Sequence, residues 1–241
     1  MYNKELCILF PVFNRDIENP ACISDICSFA SSEKNKLKYV DDDFYYTKLR
    51  VAIHEAGHIV AVLMSPGEEK NVLEAKITCD FKQDITDSDN ILYGWYGYIS
   101  SKRKSFSDNV LNTIVHIAGV EAQKALGIGS FEAYIGSDSD MFEVTDNMLT
   151  NAKRVGGVDK SCTWTHQKRE YRQLMNQEAE TFSLYTKVIM EENVNAIITF
   201  AAALYDKEQL SAAEIAEIRS KITINRNAYN NLQKYIKEFY S

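Results

Sequence analysis

The chain has 241 residues, 45% hydrophobic and 25% charged, a composition that supports a folded globular protein and excludes a disordered one. Its 27 Lys and Arg against 34 Asp and Glu give a net charge of -7 with no basic tract to follow a phosphate backbone, so no nucleic-acid partner is expected. Cys7, Cys22, Cys27, Cys79 and Cys162 make an odd set without a C-x-x-C pair, which argues against a disulfide framework or a zinc ribbon and for a reducing, cytoplasmic location.

Residues 1–44 form an N-terminal segment without a readable role. A strand is predicted over Leu6–Phe13, but that apolar stretch is short, is interrupted by Pro11 and lacks a cleavage site, so it does not read as a signal peptide. Residues 45–241 are expected to form one domain. A helix capped by Asp43 runs to Met64, with Leu49, Ile53, Val60 and Leu63 among its apolar positions, and Ser65-Pro66-Gly67 stops it. Two β-rich runs, Val72–Phe81 and Ile91–Ser100, flank an acidic loop and predict a small antiparallel pair.

The rest is helical by period, over 107–126, 139–155, 168–192, 194–206, 212–221 and 224–240. Val110, Ile114, Ile117, Glu121 and Ala125 mark the repeat in the first of these, with Glu121 its one charged member. Ser211 and Glu214 have the spacing of a capping box. The apolar segment Val194–Tyr205 contains Asn195 and Thr199 and falls short of the roughly 20 residues that cross a bilayer, so no membrane anchor is expected. With His-Glu-Ala-Gly-His at 54–58 in the first helix, the fold class expected is α+β, mainly α-helical, with a zincin-like HExxH helix, a small β-sheet or hairpin and a C-terminal helical bundle.

His54-Glu55-Ala56-Gly57-His58 sets two imidazoles four positions apart on one helical face, their Cβ atoms about 5–6 Å apart. Both reach one ion there. A catalytic Zn2+ takes three protein ligands and keeps a fourth position for water, so the motif supplies two of the three. Glu55 is rotated from His54 by about a quarter turn, where its carboxylate can accept a proton from water without ligating. The chemistry implied is attack of water on a peptide bond, with Glu55 as general base and no nucleophilic serine or cysteine. Gly57 costs roughly 1 kcal/mol of helix propensity, which points to a backbone passing close by.

The third ligand is sought in Gly136-Ser137-Asp138-Ser139-Asp140, which leads into the helix of Met141, Val144, Met148 and Val155. By spacing alone Asp138, Asp140 and Glu143 are equivalent candidates. Three segments taken together, HEAGHIVA at 54–61, IAGVEAQKALG at 117–127 followed by GSDSDM at 136–141, and the C-terminal ALYDKEQLSAAEIAEI, resemble the peptidase domain of the FtsH-type ATP-dependent zinc proteases. The likeness covers about residues 45–220, and it implies a mainly helical peptidase domain in which Asp140 completes a zinc site with His54 and His58.

The chain departs from that family at Val120, where an arginine is usual, and at Gln123, where a glutamate is usual nearby; Glu121 is the candidate to compensate. No G-x-x-x-x-G-K-[ST] sequence occurs, so ATP-driven unfolding in cis is not expected. The expected activity is therefore ATP-independent hydrolysis of unfolded or short peptide substrates. A homo-oligomer and a separate ATPase or unfoldase partner are left open. The alternative is a catalytically silent metal-binding regulator or adaptor derived from such a peptidase.

His116 and His166 are assigned to packing or solvent. Tyr93-Gly94-Trp95-Tyr96-Gly97-Tyr98 is expected as ordinary strand packing, with an exposed edge for an extended substrate as the functional alternative. Glu191, Glu192, Lys207 and Glu208 are expected to be solvated, without catalytic work.

Overall fold

The structure is a computed structural model that describes residues 42–64, 72–83, 91–101, 109–128 and 169–240, with the single positions Ala133, Asp140 and Val144. The predicted strand at Leu6–Phe13, four of the five cysteines, His166 and all but Asp140 and Val144 of the predicted helix 139–155 lie outside the described residues.

Helix α1, Asp42–Met64, is the centre of the molecule. It begins one residue ahead of the expected cap, so Asp43 lies within its first turn. From Ala52 to Met64 every residue is buried, a helix covered on all sides. His54, Glu55 and His58 therefore sit in the core. The division drawn between residues 44 and 45 falls inside this helix.

Strand β1, Val72–Gln83, pairs antiparallel with β2, Ile91–Ser101, in a register that sets Ala75 opposite Ile99, Ile77 opposite Gly97 and Cys79 opposite Trp95. The period-2 alternation turns Ala75, Ile77, Trp95 and Ile99 toward the core and leaves Tyr96 and Tyr98 exposed on the other face. The predicted pair is in fact a three-stranded sheet of order β2-β1-β3. Strand β3 is only Gln209–Ser211, with Ala75 opposite the buried Leu210. Three residues carry no periodic signal, so this strand forms because tertiary packing offers β1 a partner.

Helix α2, Asn109–Ala125, runs antiparallel to α1. The pairs Gly57 with Ala118, His54 with Gly119 and Arg50 with Gln123 descend one helix as they ascend the other. At the closest approach a Cβ on Gly57 would lie 2.5 Å from the Ala118 carbonyl oxygen and 2.6 Å from Ala122 Cβ. This is the passing backbone that Gly57 implied.

Helices α3, Arg169–Glu192, and α4, Val194–Lys207, meet at 77°. The corner is buried Asn193, whose amide donates to the carbonyls of Ile189 at 2.8 Å and Asn225 at 2.9 Å while its Oδ1 accepts from Asn225 N–H at 2.7 Å. No polar atom of that side chain is left unpaired. Helix α4 presses Ile197, Phe200, Ala201 and Leu204 into the core beside α1, and α3 packs on α2. No single helix among the described residues is long and apolar enough to cross a membrane. The second half of α3 and α4 reach that composition only as a bent pair.

Helix α4 ends at Glu208, the one described non-glycine residue with positive φ, at 61°. Its N–H donates to the Leu204 carbonyl at 2.8 Å and its carbonyl accepts from Ile77 N–H at 2.8 Å, tying α4 to β1. The expected capping box at Ser211 and Glu214 is present and starts α5, Ala212–Lys221. Helix α6, Asn227–Tyr240, returns onto α3, where Tyr235 meets Tyr185 at 6.0 Å.

Candidate metal centre

His54 and His58 project from the middle of α1 with ring centroids 4.7 Å apart and planes at 81°. Asp140 comes to them from 86 residues downstream of His54. Its Oδ2 lies 3.0 Å from His54 Nε2 and 3.4 Å from His58 Nε2. One ligand atom from each of these three residues falls within 4.8 Å of the others, so the cluster can coordinate a single metal ion. Of the three acids that spacing left equivalent, Asp140 is the one described beside the imidazoles; the side chains of Asp138 and Glu143 lie outside the described residues.

Helix α2 supports this cluster at three positions. The Val115 carbonyl accepts from His58 Nδ1–H at 2.7 Å, which leaves Nε2 to face Asp140. His116 Nδ1 lies 2.9 Å from Asp140 Oδ1, the oxygen turned away from the other imidazoles. Gly119 lies against His54, where a Cβ would come within 2.5 Å of both Cε1 and Nε2. The expectation that His116 serves packing or solvent alone is thus corrected. Its ring is largely buried and bonded to a carboxylate. Its same-face neighbours Asn112, Thr113, Gly119 and Val120 form no apolar stripe, so the local sequence held no signal beyond the need of a buried imidazole for a partner.

The electrostatics follow from burial and the single anionic hub. Burial pulls His54 below its ordinary value, and neighbouring His58 adds to the fall against the hydrogen bond to Asp140. Burial opposes the charged form of His58 as well, but the bond to Asp140, the charges of Glu55 and Asp140 and the Val115 carbonyl outweigh it and push His58 up to about 9. The two imidazoles are thus driven in opposite directions, His54 down by burial and His58 up by its anionic neighbours. Burial works to raise Asp140, yet hydrogen bonds from His116, His54 and His58 hold it far below the carboxylate range. Glu55 is pushed up to about 7 by burial, with His58 opposing and Asp140 adding to the rise.

The cluster opens onto a cavity of about 820 Å³ between α1, α2 and β2. Its strand wall runs from Gly94 to Ser100. Gly97 lies over Glu55, where a Cβ would sit 2.6 to 2.8 Å from the carboxylate end. Among the described residues β1 occupies one side of β2 and nothing pairs with the other, so Tyr93–Tyr98 is half packed strand and half open edge. Lys48, nearly buried, fixes this wall. Its Nζ lies 2.6 Å from Glu208 Oε1, 5.0 Å from the Trp95 ring centre and 4.9 Å from that of Tyr205. Glu208 is therefore a structural anchor as well as half exposed.

Val120 and Gln123 are both built into α2. Val120 is core. Gln123 donates to the Arg50 carbonyl at 2.8 Å, and its Oε1, also buried, has no partner among the described residues. Glu121 pairs with Lys124 at 2.9 Å along its own helix.

Comparison of the sequence with protein-family models gives no match, and comparison with curated proteins gives none. Fold and site by themselves define a mostly helical protein with a small antiparallel sheet and a buried His/His/Asp cluster able to coordinate a metal ion.

Proposed function

We propose that this protein is a zinc-dependent metallopeptidase, similar in its site to the peptidase domain of the FtsH-type proteases and independent of ATP. The observation that carries the reading is the convergence of His54 Nε2, His58 Nε2 and Asp140 Oδ2 beside buried Glu55. Two imidazoles and one carboxylate make a donor set suited to zinc. Bonds of about 2.0–2.1 Å at tetrahedral angles set ligand atoms about 3.3 Å apart, against the 3.0 and 3.4 Å found here. The close packing of the HEAGH helix on the IAGVEAQKALG helix gives the two resembling segments one shared site.

His54, His58 and Asp140 would hold the ion, which when bound supplies Lewis acidity that polarises a carbonyl and lowers the pKa of water. Glu55, held near neutrality by burial, takes the proton from the attacking water and returns it to the leaving amine. The edge of β2 that has no partner among the described residues offers backbone N–H and C=O groups to an extended chain laid along the cavity, which suits unfolded or short substrates and not folded ones.

The test is elemental analysis of purified wild type, Glu55→Gln and Asp140→Ala, with cleavage of casein followed in the absence of ATP. Wild type is expected to carry about one zinc per chain and to cleave. Glu55→Gln should keep its zinc and lose about 10²–10⁴-fold in rate, and Asp140→Ala should purify without the metal and bind it only weakly, though measurably, on titration. A wild-type protein without zinc sinks the reading. Stoichiometric zinc without cleavage turns it into the metal-binding regulator.

A further inference from the structure

Asp140 differs from the other two ligands of the cluster in what holds it. His54 and His58 are spaced by one helix, whereas Asp140 arrives from a distant segment and its carboxylate is free to rotate unless its second oxygen is held. That oxygen, Oδ1, meets His116 Nδ1 at 2.9 Å, and Oδ2 alone faces the ligand nitrogens of His54 and His58. The four side chains are between 7% and 17% exposed, so little water competes for these contacts. A carboxylate only accepts, so Nδ1 of His116 carries the hydrogen and donates it. His116 itself stands outside the group of donor atoms that can share an ion.

We propose that His116 is the positioning residue of the metal centre, holding Asp140 so that it ligates through Oδ2 alone. This deepens the metal-centre reading and rests on it. The neighbouring Val115 carbonyl does the corresponding work for His58 at 2.7 Å. Two adjacent residues of α2 thereby orient two of the three ligands, one through a side chain and one through the backbone. Partners of this kind typically contribute 10–100-fold to metal affinity, because they remove the rotational freedom that ligation must otherwise freeze. Single-oxygen ligation also keeps the fourth position of the ion open.

The test is zinc affinity by competition with a chromophoric chelator, together with the visible spectrum of the cobalt(II)-substituted protein. The proteins are wild type, His116→Leu, His116→Asn and His116→Gln, with His116→Leu also combined with Asp140→Ala. Leucine should weaken zinc binding by about 10–100-fold and alter the cobalt spectrum. Asparagine, whose amide reaches the Nδ1 position, should recover most of the affinity, and glutamine, whose amide lies one atom farther out, should not. In the Asp140→Ala background leucine should cost nothing further, because its effect runs through Asp140. If leucine costs helix content on its own, glutamine takes its place in the comparison. Wild-type affinity and an unchanged cobalt spectrum in the leucine variant overturn the role of His116 and leave the metal centre standing. An equal loss with and without Asp140 overturns it too, since His116 then acts through the fold. Absence of zinc binding by wild type overturns the metal-centre reading and this inference together.

Discussion

The helical wall of the cleft and its strand wall are held by different means. On the helical side, α1 and α2 approach until Gly57 meets a carbonyl and Gly119 meets an imidazole, with no room to come closer. On the strand side, Gly97 meets only the end of the Glu55 side chain and Gly94 meets nothing within 4 Å. The strand is located by its ladder to β1 and by Lys48 beneath Trp95. Metal coordination needs placement to a few tenths of an ångström, and His54 and His58, two of the three residues of the cluster, sit on the closely packed wall. Under the peptidase reading proposed above, the wall that can give is the one an extended substrate would meet.

The largest expected effect breaks the helical wall at its ligand. Gly119→Ala puts a methyl 2.5 Å from His54 Nε2, and the ring must leave its place. Zinc titration should show loss of about 100-fold or more in affinity, beyond what loss of an outer partner gives. Protons act on the same wall. Zinc must displace the His58 proton, so apparent affinity should rise about tenfold per pH unit and level off near the His58 value of about 9. In the metal-free protein the raised His58 pKa contributes stability that is whole below the unfolded value of 6.5 and gone above about 9. Thermal melts with and without chelator across that range check both statements.

Gly57→Ala comes next. Alanine adds about 1 kcal/mol of helix propensity, but its methyl meets backbone that cannot move aside, and overpacking costs about 1–3 kcal/mol. Net destabilisation in denaturant unfolding is expected. Gly97→Ala tests the strand wall, where the neighbour is the flexible end of Glu55. Zinc content and stability should hold while casein cleavage falls, because the base is displaced and the ligands are not. Gly94→Ala is the smallest effect, within about 0.5 kcal/mol and without change in zinc. A Gly57→Ala protein as stable as Gly94→Ala would erase the contrast between the walls.

The positions of α1, of the two long strands and of the helices from residue 169 onward are legible from period and stop signals to within about three residues. The capping box at Ser211 is legible because its chemistry spans three residues. Strand β3, the Asn193 corner and the Lys48 anchor are not, since each depends on a partner far along the chain. Lys48 and Glu208 alone are 160 residues apart.

The site divides in the same way. Sequence by itself determined that His54 and His58 share a helical face with Glu55 beside them, because 3.6 residues per turn settles that locally. It also determined that Gly57 admits a close neighbour. Only the tertiary structure set Asp140 against both imidazoles, gave His116 its carboxylate, and laid Gly97 over Glu55. Those contacts join residues 24 to 86 positions apart in the chain, and no local spacing encodes them. They exist because burying α1 on every side brings α2, the sheet and the Asp140 segment to one place.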